Sequence, residues 1–330
     1  MSNDYSHFQR YLAAKKSVDD RALNAHVWQR LQHELALRHP TATAPLRVIE
    51  IGGGIGTMIE HILERTLLTQ AHYLLVDEVA GNIADARRRL PVWARQAGFD
   101  VAVTGDNSAI IQIRRPVSTR HPEVALTVEL IEADCFAFAA AAANQQSADL
   151  LIAHALLDLF DIPRALAQLI PLLKPNALFY TTINFDGNTI LQPTIDRFYD
   201  EQVEAAYHAT MDNRITGGLP SGDSHSGRHL FSHLRNAGLT ILDAGSSDWV
   251  VFGNEQGYSA DEAYFLHFIV ETMHGALCND PQIDPPRFAE WIKKRHAQIE
   301  RGELVYIAHQ LDFLVRNEPT GPVNDVPGQQ

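Results

Sequence analysis

The 330-residue chain has only two cysteines and no long hydrophobic run. Cys135 and Cys278 provide neither a disulfide framework nor the ligand spacing of a zinc site, which is typical of a reducing compartment. No apolar stretch reaches the length of a membrane span, and the N-terminus is polar and charged, unlike a secretion signal. These absences predict a cytoplasmic protein that is neither exported nor membrane-spanning.

Positive charge is also scarce, with 27 Lys and Arg against 40 Asp and Glu, for a net charge of −13. A nucleic-acid surface needs clustered Lys and Arg to neutralise phosphates, so we expect no nucleic-acid partner. Hydrophobic residues make up 45% of the chain, which is enough for a large core.

Histidine is plentiful, with sixteen in the chain. His225, His229 and His233 are four residues apart, and the last two are predicted to share a helix face. No Asp, Glu or Cys joins them at the spacing of a recognised zinc motif, so we predict no metal ion.

The most informative stretch is residues 48–57, in which an apolar run gives way to alternate glycines and then to a helical pattern. Such a run predicts a buried strand, and Gly52, Gly54 and Gly56 permit a tight turn that a ligand approaches closely. The fingerprint of dinucleotide-binding proteins has glycine at the sixth position from Gly52, where this chain has Thr57.

Acidic residues follow the next two predicted strands. Residues 72–77 are predicted to form an apolar strand that ends in Asp77. A carboxylate there can accept hydrogen bonds from both hydroxyls of a ribose. Residues 126–133 form another strand, followed by Asp134 and Cys135, which suit the exocyclic amine and a ring nitrogen of adenine. A third strand, residues 149–154, ends in His154 beside the same crevice.

This order of strand ends resembles that of the class I S-adenosylmethionine-dependent methyltransferases that modify small molecules. The resemblance covers about residues 45–185 and 226–315. It implies that the cofactor is S-adenosylmethionine and that the glycines lie along its methionine part. It also implies that Asp77 binds the ribose, that Asp134 and Cys135 bind adenine, and that His154 lies near the sulfonium. The full set of cofactor residues that we predict is Glu50, Gly52, Gly54, Gly56, Asp77, Glu78, Asp134, Cys135 and His154.

The remaining pattern predicts an α/β fold, a Rossmann-like doubly wound sheet of seven strands. Beyond the strands above, we predict strands at 177–184, 239–252 and 303–315 and helices at 228–237, 260–277 and 287–301. The resemblance implies that the last strand inserts antiparallel. Residues 98–125, which contain an apolar run at 110–115, fit an added hairpin.

We divide the chain into five parts. A helical lead spans 1–44, a cofactor-binding core 45–185, an inserted substrate lid 186–235, a completion of the sheet 236–315, and a disordered tail 316–330. Within the lead, Ser17 to Asp20 predict a helix start before residues 21–37. The lead is expected to close over the site through Tyr5, Tyr11, Lys15 and Arg21.

His154 and Asp158 are the candidate catalytic residues, since either can orient or deprotonate a methyl acceptor. The lid supplies the candidate substrate-binding residues Arg214, Asp223 and Arg228. Arg228 follows Ser226, a candidate N-cap, so a substrate carboxylate or phosphate fits there, as does an ion pair with Asp223 or Asp212.

The predicted function is methyl transfer to a nitrogen, oxygen or carbon of a small-molecule substrate. The Asn-Pro-Pro-Tyr signature of amine methylation is absent after residue 152, where Ala153-His-Ala-Leu156 stands instead. Two alternatives remain open: an NAD-dependent oxidoreductase, and a non-catalytic S-adenosylmethionine-binding protein. The apolar helix predicted near 265–277 could pack either on the sheet or on a second copy of the chain in a homodimer.

Overall fold

The computed structural model describes residues 7–38, 44–105, 109–119, 122–216 and 218–318. Its strands are β1 (Leu46–Ile51), β2 (Gln70–Asp77), β3 (Asp100–Thr104), β4 (Ile110–Arg115), β5 (Val124–Glu132), β6 (Ala148–His154), β7 (Leu173–Gln192), β8 (Ile215–Thr216), β9 (Leu219–Pro220), β10 (Thr240–Ser246), β11 (Trp249–Val251) and β12 (Val305–Arg316). Its helices are α1 (Phe8–Ala22), α2 (Ala25–Arg38), α3 (Thr57–Glu64), α4 (Ala80–Gln96), α5 (Cys135–Ala140), α6 (Ile162–Leu169), α7 (Arg197–Asp212), α8 (Ser226–Asn236), α9 (Glu262–Leu277) and α10 (Pro285–Glu300).

The central sheet has the strand order β10-β12-β7-β6-β1-β2-β5-β4-β3, with β11 paired to β12. Strands β5, β2, β1, β6 and β7 are parallel, and β12 runs antiparallel between β7 and β10. The predicted Rossmann-like fold with an antiparallel last strand is therefore confirmed. Among the described residues the sheet contains ten strands rather than seven, because the hairpin β3–β4 extends its edge and the strand predicted at 239–252 divides into β10 and β11.

The hairpin β3–β4 accounts for the predicted addition at residues 98–125. The two strands pair antiparallel, and β4 pairs with β5 at the edge of the sheet. The inward side chains of Ile111 and Ile113 are fully buried, which anchors the hairpin on the core. The hairpin therefore extends the sheet away from the crevice at β1.

Two hydrophobic cores cover the two faces of the sheet, because successive strand residues point to opposite sides. Val48 of β1 belongs to one core, and Ile49 and Ile51 belong to the other. Helices α1–α4, α7, α9 and α10 pack on the first face, and α5, α6 and α8 on the second. This is the doubly wound arrangement in which ligands bind at the carboxyl ends of the parallel strands.

The N-terminal lead differs from the prediction in its helix boundary. Ser17 to Asp20 lie inside α1, and the chain breaks at Leu23 and Asn24 before α2. The side chain of Asn24 accepts hydrogen bonds from the backbone N–H groups of His26 and Val27, so Asn24 caps α2. The predicted start signal was wrong because its polar residues serve long-range contacts of α1 instead.

Other boundaries shift for local reasons. The strand predicted at 177–184 extends as β7 to Gln192, where it pairs with β12. Helix α7 then begins at Arg197, after the cap at Asp196. The strand predicted at 239–252 is divided into β10 and β11. Segment 186–235 thus contains the end of β7, α7, the hairpin β8–β9 and most of α8.

Helix α9 packs within the chain, and its buried apolar residues include Phe265, Val270 and Met273. None of the described helices combines the length and apolar content needed to cross a bilayer. Of the predicted disordered tail, residues 319–330 lie outside the described residues, and Arg316 still belongs to β12.

Candidate functional site

A cavity of about 590 Å³ lies at the carboxyl ends of β1, β2, β5 and β6. It collects most of the predicted site residues, although they are far apart in the sequence. Those that line it are Glu50, Gly52, Gly54, Asp77, Glu78, Asp134, Cys135, His154, Asp158, Arg214 and Asp223. Gly56 and Arg228 do not line it. A volume of this size falls within the range of about 300–1,000 Å³ for small-molecule sites.

The glycine turn forms one wall. Gly52 and Gly54 have φ angles of +67° and +56°, which favour residues without a Cβ. A Cβ on Gly52 would also lie 2.6 Å from Cδ1 of Leu156, so the turn leaves no room for a side chain there. Gly56 lies behind this wall, where it caps α3 and faces Leu90.

Asp77 ties the glycine turn to the end of β2. Its Oδ2 accepts the N–H of Gly54 at 2.8 Å, and its Oδ1 accepts the N–H of Val79 at 2.9 Å and the side-chain amide of Asn82 at 3.0 Å. The carboxylate is 8% exposed and lines the cavity. Oδ1 already accepts two hydrogen bonds and Oδ2 accepts one, so Oδ2 can accept one ligand hydroxyl. A second ligand hydroxyl would replace the Asn82 amide at Oδ1, while both backbone N–H groups of the turn stay bound.

Glu50 lies beneath the turn and is only 1% exposed. Its Oε2 accepts a hydrogen bond of 2.8 Å from the hydroxyl of Tyr73. Burial raises the pKa of Glu50 to about 8, and the nearby charge of Asp77 contributes in the same direction. A cationic ligand group beside Glu50 would reverse that effect and favour its ionised form.

Asp134 and Cys135 lie at the rim of the cavity, at the start of α5. Asp134 is the helix cap, since its Oδ1 accepts the N–H of Ala137 at 2.7 Å. Burial, together with the charges of Asp134 and Glu78, raises the pKa of the Cys135 thiol to about 12. The thiol therefore stays protonated at neutral pH and does not act as a nucleophile.

His154 lies in a buried network that the sequence did not reveal. Its Nδ1 is 2.8 Å from Oγ1 of Thr182, and its Nε2 is 3.0 Å from Oδ2 of Asp19 on α1. Asp19 also accepts hydrogen bonds from Lys15 at 2.6 Å and from the indole of Trp249 at 2.8 Å. Three segments of the chain, α1, the end of β6 and β11, thus meet at the Asp19 carboxylate.

Within this network the His154 ring is neutral and the Asp19 carboxylate is ionised. Burial lowers the pKa of His154, so the ring is neutral near pH 7. Burial opposes ionisation of Asp19, but the Lys15 ammonium and the contacts with His154 together lower the pKa of Asp19 to about 2. Because a carboxylate only accepts, neutral His154 must donate through Nε2 and accept from Thr182 at Nδ1. Both ring nitrogens are occupied, so the arrangement suits His154 as a structural bridge rather than a base.

Asp158 lies in the cavity close to Arg214. Its carboxylate Oδ1 is buried without a hydrogen-bond partner among the described residues. The Arg214 guanidinium donates to the backbone carbonyls of Asp158 and Ser221, at 2.7 and 2.8 Å. Arg214 therefore fixes the loop after β6 against segment 214–221 and places a positive charge near Asp158.

Arg228 lies outside the cavity and has a different partner from those considered in the sequence analysis. Its Nε is 2.9 Å from Oδ1 of Asp186, which also accepts the backbone N–H of Arg228 at 2.7 Å. The chain's own Asp186 thus occupies the anion position at the start of α8. Asp223 lines the cavity and forms a hydrogen bond with Nδ1 of His229 instead.

We expect Arg228→Ala to lower the free energy of unfolding by about 1 kcal/mol, since the pair is half exposed on the arginine side. Affinity for S-adenosylhomocysteine should stay within about twofold of wild type, because the residue does not line the cavity. Urea unfolding and calorimetry measure the two quantities. A tenfold loss of affinity with unchanged stability would contradict this placement.

Helix α1 supplies the remaining wall. Tyr11 and Lys15 line the cavity as predicted for the lead, whereas Arg21 pairs with Glu262 of α9. Tyr5 lies outside the described residues. The ion pairs Arg10–Asp261 and Arg21–Glu262 fasten α1 to the loop before α9 and to its first turn, so α1 is a fixed part of the wall in this structure.

Two groups of carboxylate and histidine side chains come together among the described residues, at Asp20, His61 and Glu64 and at Asp212, Asp223 and His225. In the first, Lys16 already pairs with both carboxylates. In the second, Asp223 pairs with His229, and Asp212 accepts the backbone N–H of Ser224. Protein groups therefore satisfy much of the charge at both places.

No protein-family model matches the chain, and no curated protein matches it in sequence. Solved structures do match. Loganic acid methyltransferase, solved with S-adenosylhomocysteine, is 11% identical, with a TM-score of 0.50 over 97% of this chain and 98% of that one.

Two further methyltransferase structures are also similar. One is an N-methyltransferase from Haemonchus contortus, with 11% identity, a TM-score of 0.41, and coverage of 95% of this chain and 58% of that one. The other is geranyl diphosphate C-methyltransferase from Streptomyces coelicolor, with 11% identity, a TM-score of 0.39, and coverage of 87% and 75%. The strand order and the likeness to loganic acid methyltransferase together show that this chain has the fold of the class I S-adenosylmethionine-dependent methyltransferases.

Proposed function

We propose that the protein transfers the methyl group of S-adenosylmethionine to a small molecule bound in the same cavity. The observation that carries this proposal is that one cavity gathers the ends of β1, β2, β5 and β6. These strand ends bring together the glycine turn, Asp77 as the proposed ribose ligand, Asp134 as the proposed adenine ligand, and His154. The loganic acid methyltransferase of the same fold was solved with the demethylated cofactor.

In this proposal the adenosine lies between the ends of β2 and β5. Asp77 accepts the ribose hydroxyls, and Asp134 with the Cys135 backbone binds adenine, while Glu78 lies beside the ribose. Val79 and Phe160 also line this part of the cavity and offer apolar contacts to the ring. Phe136 does not line the cavity and packs edge-on against Phe160.

The methionine part follows the turn at Gly52 and Gly54, with its ammonium near Glu50. Gly56 would act indirectly, by starting α3 behind the turn. His154 and its partner Asp19 hold α1 against the end of β6, where the sulfonium is expected. S-adenosylmethionine supplies an electrophilic methyl group there. The protein positions the acceptor in line with the carbon–sulfur bond and excludes water.

The acceptor is expected in the other half of the cavity, toward α7. Tyr207 and Met211 of α7, together with Arg214 and Asp223, line that half. These residues belong to segment 186–235, for which we propose the role of a substrate lid. A lid that orders around the acceptor would keep water from the reacting methyl group.

The alternative of an NAD-dependent oxidoreductase has less support. The sixth position of its fingerprint is Thr57, and a dehydrogenase core lacks the antiparallel β12 between β7 and β10. A non-catalytic cofactor-binding protein would share the cofactor half, so only turnover separates it from an enzyme.

Calorimetric titration with S-adenosylhomocysteine tests the proposal. We expect a dissociation constant in the micromolar range and no comparable binding of NAD. Turnover is tested by incubating the protein with S-adenosylmethionine and small-molecule pools and measuring S-adenosylhomocysteine. A folded protein that binds neither S-adenosylmethionine nor its product contradicts the proposal, whereas binding without any turnover favours the non-catalytic alternative.

The raised pKa of Glu50 predicts proton release on cofactor binding. Near pH 6.5 Glu50 is mostly protonated, since its pKa is about 8. An arriving ammonium favours the carboxylate, so about one proton should leave and affinity should rise as pH increases toward 8. Calorimetry in two buffers of different ionisation enthalpy counts the protons. Glu50→Gln is the matched control and should release none, and a wild type that also releases none contradicts the assignment.

A further inference from the structure

The acceptor half of the cavity contains buried hydrogen-bond acceptors without donors. Among the described residues, Oδ1 of Asp158 and Oε1 of Gln310 have no hydrogen-bond partner and almost no exposed surface. Both residues line the cavity, so a ligand donor reaches either oxygen once its side chain rotates. Leaving a buried acceptor unsatisfied costs about 1–3 kcal/mol. A ligand that supplies donors at this position removes that cost.

Aromatic rings line the same half. Tyr11 of α1 stacks on Phe268 of α9 with ring centroids 4.0 Å apart, and both line the cavity. Trp249 lines it as well and rests edge-on, at 5.3 Å, against Phe265, which is buried behind the lining. Tyr207 and Tyr306 complete the lining. Aromatic side chains of this kind favour a planar aromatic ligand, which can pack on them in offset-stacked or edge-to-face arrangements.

The charges nearby disfavour an anionic ligand. Lys15 is committed to Asp19 at 2.6 Å, and the Nε and Nη2 groups of Arg214 donate to backbone carbonyls. A carboxylate ligand would therefore place a second negative charge beside Asp158 with few cationic donors left to bind it. A neutral donor group avoids this repulsion and satisfies Asp158.

We propose that the methyl acceptor is a flat aromatic molecule carrying a hydroxyl group, which donates its hydrogen bond to Asp158 and passes its proton to that carboxylate during transfer. This inference rests on the proposed function. The hydroxyl oxygen uses a lone pair to form the new bond to the methyl carbon. The carbon–sulfur bond breaks, and its electron pair stays on sulfur as a neutral sulfide. The proton moves to Asp158 and then to water.

The environment of Asp158 suits a proton acceptor. Burial raises its pKa, and the charges of Arg214 and Lys15 oppose the shift, while Tyr11 and Tyr207 face the same group. A raised pKa makes the carboxylate a stronger base for a weakly nucleophilic hydroxyl. A neutral amine has a nucleophilic lone pair already and does not need this base.

The inference is tested with matched two-ring probes on protein saturated with S-adenosylhomocysteine. The probes are 2-naphthol, 2-naphthylamine and 2-naphthoate, and binding is followed by calorimetry. We expect 2-naphthol to bind at least about tenfold more tightly than 2-naphthoate. With S-adenosylmethionine, 2-methoxynaphthalene should form from 2-naphthol.

Variants of Asp158 separate binding from proton transfer. Asp158→Asn retains an accepting oxygen, so 2-naphthol binding should stay within about threefold, while methyl ether formation falls about 100-fold. The acid limb of the pH–rate profile should disappear in the same variant. Asp158→Ala should lose both binding and turnover, and the surface variant Asp100→Asn, on β3 and outside the cavity, should change neither.

Preference for 2-naphthoate, binding of none of the three probes, or unchanged turnover in Asp158→Asn would overturn the inference. A preference for 2-naphthylamine as methyl acceptor would overturn it as well, and would assign the site to an amine. In each of these cases S-adenosylhomocysteine still binds, so the proposed function stands. Failure to bind S-adenosylhomocysteine would instead overturn both.

Discussion

Asp77→Ala is expected to weaken S-adenosylhomocysteine binding by about 100-fold, the largest effect on affinity among the changes considered. The carboxylate is proposed to accept both ribose hydroxyls, and hydrogen bonds to a charged group contribute about 1.5–3 kcal/mol each. It also holds the N–H of Gly54 at 2.8 Å and that of Val79 at 2.9 Å. Its loss therefore removes ligand contacts and loosens the turn that the cofactor follows.

Two controls separate these contributions. Asp77→Asn keeps one accepting oxygen and should lose about tenfold, because its amide cannot accept from both backbone donors. Asp100→Ala changes an exposed acid on β3, outside the cavity, and should leave affinity unchanged. Calorimetry gives the dissociation constants, and a thermal melt verifies folding. Affinity in folded Asp77→Ala within threefold of wild type would refute the assignment of the ribose site.

Asp19→Asn is expected to lower the free energy of unfolding by about 3 kcal/mol at pH 7. Lys15 is 7% exposed, and its ammonium would remain buried without its counter-ion. The pKa of Asp19 falls to about 2 in the folded protein, from an ordinary value of 3.8. Its stabilising contribution is therefore present above about pH 4 and is lost as the pH falls through 2.

Urea unfolding measures this effect, and two further variants test its cause. Glu201→Gln breaks the exposed pair with Arg197 and should cost less than about 0.5 kcal/mol. Combining Asp19→Asn with Lys15→Met removes the stranded charge and should recover most of the loss. A loss below 1 kcal/mol in Asp19→Asn would show that the network does not hold α1 in place.

The cofactor half of the site was predictable because its residues follow local patterns. Buried apolar strands are recognisable in the sequence, and the polar residues that end them, such as Asp77 and Asp134, meet at one edge of a parallel sheet. The glycine turn was recognisable for the same reason. The overall fold was therefore predicted correctly, including the hairpin now seen as β3–β4, apart from the division of the strand at 239–252 into β10 and β11.

The contacts that hold α1 and the start of α8 were not predictable, because they join distant segments of the chain. Asp19 lies 135 residues from His154 and 230 from Trp249, and no local pattern joins them. Asp19 was instead interpreted as part of a helix start. Similarly, Asp186 lies 42 residues before Arg228, so the sequence did not show that the start of α8 already has its own carboxylate.

The structure also changes how the predicted catalytic pair is understood. His154 and Asp158 both end up in the cavity, but His154 has partners on both ring nitrogens and Asp158 has an unpartnered oxygen. Their positions in the sequence could not distinguish their roles, because His154 is the last residue of β6 and Asp158 follows it closely. Burial and hydrogen bonding favour Asp158 for proton transfer.

A crystal structure of the protein with S-adenosylhomocysteine tests the central claim most directly. The account predicts both ribose hydroxyls within hydrogen-bond distance of the Asp77 carboxylate, the adenine amine at Asp134, and the methionine ammonium near Glu50. It also predicts the sulfur facing the space between His154 and Asp158. A nucleoside bound elsewhere, or Asp77 and Asp134 turned away from it, would contradict the account.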